Sequence, residues 1–246
     1  MKSLISIIAL SLLTTMSFGQ NYIDSINYYV QKANDLPKEN HSQKIIYLDK
    51  AIEFCNKSSL KTMLFLVVQN RINEYIQINE YSLAEKDYLW LIEENDKSPY
   101  FGIGNIYWGL ANLYRDTKKY KQGLEYYEKA ISSNVTIGKF IIYLDYSKCL
   151  TSINKYSEAI ENINKGLTSL ANNDPNVIQI NYYKSPGNIP AEYFLLMQQR
   201  AKIYFLAEKK KKGCEDLEEI LKLFEVEKDI FNIHSNVMEL KNKECK

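Results

Sequence analysis

Glycine and proline are scarce in this chain, 9 and 5 among 246 residues. So few turn formers exclude a β architecture built on tight hairpins and leave long helices as the expected element. Histidine is scarcer still. His41 and His234 are the only two, and neither has a ligand-type side chain three or four residues on that would build a metal site. With so little imidazole there is little material for a Ser–His or Cys–His nucleophile pair. The chain also lacks a Gly-x-Ser-x-Gly elbow and a phosphate-cradling loop, since Gly102 and Gly104 stand alone with no strand before them. Excess charge of one sign is missing too: the net charge is +1, which exerts no global pull toward nucleic acid or an anionic membrane. No basic stretch is interleaved with aromatics as in nucleic-acid binders. The adjacent carboxylates Glu93–Glu94 and Glu218–Glu219 point to different helix faces and read as solvated charge. The expectation is a chain with no catalytic residue, no cofactor, no metal and no nucleic-acid partner.

What is present begins with an apolar start. Lys2 is followed by an apolar run from Leu4 to Leu13 and by Ser17-Phe18-Gly19, the pattern of a signal peptide cleaved after Gly19. The run is too short for a stable membrane anchor, and no Cys follows it to carry a lipid. Removing residues 1–19 takes away Lys2 and no acid, so the mature charge falls from +1 to 0. The expected location is outside the cytoplasm, periplasmic or secreted. Over the whole chain, 46% hydrophobic and 25% charged residues describe a folded protein. Twenty tyrosines are unusual. Their rings suit packing between helices, with the hydroxyl reaching water or a carbonyl.

The stretch from Tyr107 to Ile131, YWGLANLYRDTKKYKQGLEYYEKAI, organises the rest. It holds two apolar helix faces joined by a polar turn. Ala111 and Gly123 are small where the helices would touch, and Tyr107, Leu110, Tyr114 and Tyr127 fill the space around them. A hairpin of this kind cannot bury its own apolar stripe, which implies stacked copies. Aligned on the turn tyrosines Tyr81, Tyr120 and Tyr156, three copies cover about 65–98, 104–137 and 140–173, with turns 39 and 36 residues apart. Weaker copies cover about 25–58 and 194–227. Just before the last copy lies an insertion, 172–190, bracketed by Pro175, Pro186 and Pro190. Residues 229–243 carry Ile230, Ile233, Val237 and Leu240 on one face, as a terminal cap helix needs.

Leu110-Ala111, Tyr114, Gly123, Tyr127 and Ala130, with Tyr120 in the turn, resemble the tetratricopeptide repeat family; the family's final proline is missing, and Val135 stands there. The resemblance implies an all-α, right-handed superhelical solenoid of about five helix-turn-helix repeats plus a capping helix, read as one domain over 20–246. It also implies a non-catalytic scaffold that binds a protein or peptide, and no stable membrane span is expected. The family lines its inner groove from the first helix of each repeat. Those positions are here Leu66, Gln69, Asn73, Ile76 and Gln77; Asn105, Trp108, Asn112, Arg115 and Asp116; and Ile141, Leu144, Lys148, Thr151 and Ser152. Asn73, Asn112 and Lys148 then share a row, with Trp108 and Arg115 beside it. Amide and basic groups suit a peptide backbone or carboxylate, and Trp and Arg are common anchors. Two alternatives stay open. Trp108 would be a packing residue, or the protein would be a structural subunit working through its outer face or the 172–190 insertion.

Four cysteines, Cys55, Cys149, Cys214 and Cys245, allow three pairings in an oxidising compartment. A cap helix doubling back over its predecessor would bring Cys214 and Cys245 within reach. The phrase Lys212-Gly213-Cys214-Glu215-Asp216-Leu217, with a Cys at the far C-terminus, also resembles the closing repeat of exported bacterial tetratricopeptide proteins. Cys55 and Cys149 read as buried free thiols. No Cys-x-x-Cys supports redox or zinc chemistry.

Overall fold

The computed structural model describes residues 21–58, 60–97, 99, 102–133, 135, 137–173, 191–223 and 233–246. The expected signal peptide, most of the 172–190 insertion and the first residues of the expected cap helix lie outside the described residues. Among those described, the regular structure is helical throughout. Helix α1 spans 21–34. It is followed by α2 (His41–Lys57), α3 (Lys61–Gln77), α4 (Tyr81–Lys97), α5 (Ile103–Asp116) and α6 (Tyr120–Ser132). Then come α7 (Lys139–Ser152), α8 (Tyr156–Asn173), α9 (Ala191–Leu206), α10 (Lys210–Leu223) and α11 (Ile233–Glu244). They form five hairpins and a closing helix.

One backbone device makes four of these hairpins alike. Asn79, Lys118, Asn154 and Glu208 take positive φ of 60°, 61°, 60° and 58° in the turns after α3, α5, α7 and α9. The N–H of each bonds back three residues, as Lys118 does to the Arg115 carbonyl at 3.0 Å. The next N–H bonds back five, as Lys119 does to the Tyr114 carbonyl at 2.7 Å. This Schellman closure satisfies carbonyls that the end of a helix would leave orphaned. Asparagine tolerates the left-handed conformation, whereas Lys118 and Glu208 hold it at a cost of about 1 kcal/mol each.

Counted from that turn residue, each of the four hairpins buries the same positions. Five residues on are Ala84, Gly123, Ala159 and Gly213, all buried. Nine on are Tyr88, Tyr127, Ile163 and Leu217, also buried. The small residue lets the second helix close on the first, and the large one then fills the gap.

The chain divides into two compact units, Met1–Tyr100 and Phe101–Lys246. In the first, α3 packs on both α2 and α4, and Tyr29 of α1 stacks on Phe54 of α2 with centroids 5.7 Å apart. Leu64, Phe65, Val68 and Ile72 of α3 are completely or almost completely buried. In the second unit each helix from α6 to α10 packs on the one before and the one after, and α7 also touches α5 and α9. One core runs from Ala111 through Tyr127, Ile142, Cys149 and Ile163 to Leu196. Another joins Met197, Ala201, Leu217 and Ile220 to Ile233 and Val237 of α11.

The closing helix is tied down covalently. Cys214 of α10 is bonded to Cys245, with Cα atoms 5.8 Å apart, and Lys210 donates to the Lys246 carbonyl at 2.6 Å. Cys55 and Cys149 are free and buried, and burial pushes both thiols up to about 11.

Candidate protein-binding face

First helices of successive hairpins meet in the second unit, α5 beside α7. Trp108, Asn112 and Arg115 lie on one face of α5 because they are four and three residues apart. Lys148 lies on the neighbouring face of α7. The structure brings these four residues into one network, and its hub is a fifth that the repeat pattern does not mark, Asp145.

Asp145 is buried. It accepts from the Trp108 indole N–H at 3.0 Å and from Lys148 Nζ at 2.8 Å, and it faces Arg115 Nη1 at 3.2 Å. Arg115 also donates to Asn112 Oδ1 at 3.1 Å and to Asp116 at 2.9 Å. Asn112 in turn accepts from the hydroxyl of Tyr127, a fully buried α6 residue. Burial opposes the Arg115 charge, but Tyr127, Asp116 and Asp145 more than compensate, so its pKa lies above the ordinary value. Burial also raises the Tyr127 hydroxyl, which therefore stays a donor to Asn112. Two cations, Arg115 and Lys148, meet two carboxylates, Asp116 and Asp145, so the face is neutral in sum.

The network is rigid underneath and open above. Arg115 is 20% exposed, whereas the Lys148 side chain is 44% exposed. Trp108 is half-buried and packs against the core beneath. Its indole N–H is held by Asp145, which fixes a large aromatic surface at little entropic cost. The Nε and Nη1 groups of Arg115 are bonded within the protein.

Asn73 is not part of this network. It sits exposed on α3 in the first unit. Nearby on α3, Leu66, Val67, Gln69 and Asn70, together with Met63, face Ile26, Asn27 and Val30 of α1 around a groove of about 340 Å³ whose lining carries no charge. His41 bonds Glu74 at 2.7 Å. Among the described residues no group of three or more His, Cys, Asp or Glu is arranged to hold a metal ion, and no helix is long and apolar enough to cross a membrane.

Asp145 has one trace in the sequence. It is the single acid in the run Phe140-Ile141-Ile142-Tyr143-Leu144-Asp145-Tyr146, where a buried carboxylate must find partners. Its position lies outside the groove pattern inferred from the repeat family, so that pattern does not single it out.

No protein-family model and no curated protein matches this chain. Solved structures do. Nearly identical TPR-like repeats of a Podosopora anserina protein described as a kinesin light chain share 10% identity over 83% of this chain and 95% of theirs, with a TM-score of 0.62. Bacillus thuringiensis PlcR, solved with the peptide PapR7 and DNA, is 15% identical over 93% of this chain and 74% of its own, at 0.55. YrrB, described as a TPR protein with an unusual peptide-binding site, is 14% identical over 93% and 97%, at 0.53. The likeness is one of fold: this chain has the all-α tetratricopeptide-repeat fold.

Proposed function

We propose that this protein is an exported, non-catalytic interaction scaffold that holds an extended peptide or a partner's helix along its first-helix face. The observation that carries the reading is the Asp145 network. It presents Trp108 and Lys148, half-open, on a base of buried and mutually bonded groups. Such a base is ordered before any ligand arrives, so binding costs little on the receptor side. An aromatic plate beside a movable cation suits a chain with an apolar side group and a nearby acid. PlcR and YrrB, which share the fold, are described with a peptide and with a peptide-binding site, and this supports the peptide form of the reading. Export rests on the signal-like pattern of residues 1–19.

The test is a selection of peptides from a random display library, followed by affinity measurements on wild type, Lys148→Glu and Glu161→Lys. Lys148→Glu puts a repelling charge on the face, while Glu161→Lys makes a comparable change on exposed α8. At least tenfold weaker binding in the first and unchanged binding in the second are expected. Equal affinities in all three would move the site elsewhere. An N-terminal mass measurement on protein from the producing cell tests export, with Gln20 as the expected first residue.

A further inference from the structure

The exposed face of α4 differs from that of every other second helix in the four like hairpins. Four and eleven residues after the left-handed turn residue, α6 carries Gln122 and Lys129, α8 carries Glu158 and Lys165, and α10 carries Lys212 and Glu219. In α4 the same positions hold Leu83 and Trp90. Leu83 is 41% exposed and the adjoining Leu89 42%. Between and beyond them lie Lys86 and Glu93, both exposed. The spacing 83, 86, 90, 93 alternates three and four, so Leu83, Lys86, Trp90 and Glu93 share one side of the helix, apolar and charged in turn. Together these residues edge a groove of about 760 Å³. Isolated exposed leucines need no explanation, but Leu83, Leu89 and Trp90 gathered on one side of a helix, at positions the other second helices keep polar, do.

We infer that this side of α4 is where a second copy of the chain docks, α4 against α4 in antiparallel fashion. The charges select that occupant. Lys86 and Glu93 are equally far from the point between Leu89 and Trp90, three and a half residues or about 5 Å along the axis. A two-fold axis through that point sets Lys86 of each copy against Glu93 of the other and places Leu89 and Trp90 at the crossing. The Lys86 and Glu93 pair is thus self-complementary in charge, as an isologous interface must be, and the groove as a whole, with Glu85 and the bonded Arg71–Asp87 pair, carries no strong excess that would call for an acidic or basic partner. Glu93 is already bonded to Lys97 at 2.9 Å, but that pair is exposed on both sides and yields readily. A single helix pair makes a small interface, so the dimer is expected to be weak, with a dissociation constant in the micromolar range.

Sedimentation equilibrium of the purified full chain, from micromolar to several hundred micromolar, tests it. Wild type should show a concentration-dependent dimer. Lys86→Glu and Glu93→Lys should each weaken it at least tenfold, because each sets like charges together. Mixing the two variants should restore it. In the mixed dimer one copy presents two carboxylates at these positions and the other two ammonium groups, so both cross-pairs are again of opposite sign. All the substituted groups are exposed, so equal circular-dichroism spectra confirm folding. A monomer across the whole range would overturn the proposal, and so would a dimer indifferent to either variant or not restored by mixing.

Discussion

Two hairpins of the second unit, α5–α6 and α9–α10, bury the same positions and hold them by different means. Eight residues before and eight after the turn residue, α9–α10 sets Arg200 against Asp216, with Nε to Oδ2 at 2.9 Å and Nη2 to Oδ1 at 2.8 Å. The matching residues of α5–α6 are Leu110 and Tyr126. Arg200 also reaches back to Asn164 of α8 at 2.8 Å, so one guanidinium ties a hairpin both to itself and to its predecessor. In the first unit Arg71 repeats the design with Asp87 and, toward α2, Asp49. Tyr146 keeps half of it, donating to Glu128 of α6 at 2.9 Å. The repeat therefore prescribes which positions meet and leaves their chemistry open.

The largest predicted effect attacks the covalent part of the contrast. The α9–α10 hairpin alone has a neighbour stapled to it among the described residues, through a bridge spanning 31 residues. Replacing both Cys214 and Cys245 by Ser should cost about 3–4 kcal/mol on the loop-entropy account, read from urea denaturation. The buried clamp comes next. Asp216→Ala strands the Arg200 charge and should cost about 3 kcal/mol. The double change Arg200→Leu with Asp216→Tyr, which copies the α5–α6 solution, should recover most of that loss. If the double variant is no better than Asp216→Ala, the two chemistries are not interchangeable.

Glycine sharpens the comparison. A methyl group at Gly213 would lie 2.6 Å from the Phe205 ring, whereas at Gly123 its nearest neighbour is the Ala111 carbonyl at 3.4 Å. Gly123→Ala should raise stability by about 0.5–1 kcal/mol through helix propensity. Gly213→Ala should lower it or displace Phe205, and thermal melts of the two variants should move in opposite directions.

The smallest effect is a pH signature at the rim. Hydrogen bonds from Lys61, then Lys97, hold the Glu94 carboxyl below its ordinary value of 4.5. A depressed carboxylate binds its proton more weakly folded than unfolded. Its stabilisation is present above 4.5 and is lost as the pH falls through the lower folded value. Glu94→Gln should cost at most about 1 kcal/mol at neutral pH, and the difference from wild type should close in acid. A gap that stays constant down to about pH 3 would contradict this.

The hairpin register could be read from the sequence because it rests on periodic burial. Tyr81, Tyr120 and Tyr156 mark the turns, and Ala84, Gly123 and Ala159 mark the close approaches. The Asp145 network leaves no period. Asp145 is one acid in an apolar helix, and nothing in its own segment names Trp108, which lies 37 residues earlier, as its partner. The Arg–Asp clamps did leave a usable sign, the same separation of 16 residues across a turn in both Arg71–Asp87 and Arg200–Asp216. The left-handed turns at Lys118 and Glu208 had no such sign, since glycine or asparagine is the residue that announces them. Of the expected groove row, Trp108, Asn112, Arg115 and Lys148 come together, while Asn73 belongs to the other unit.

The most direct test of the central claim uses Trp108 as its own reporter. Trp90 and Trp108 are the two tryptophans, so Trp90→Phe leaves the indole of the candidate face as the only one. Titrating that variant with a peptide selected on wild type should shift Trp108 emission and saturate at the affinity measured by an independent method. Full binding with no change in Trp108 emission would contradict the account.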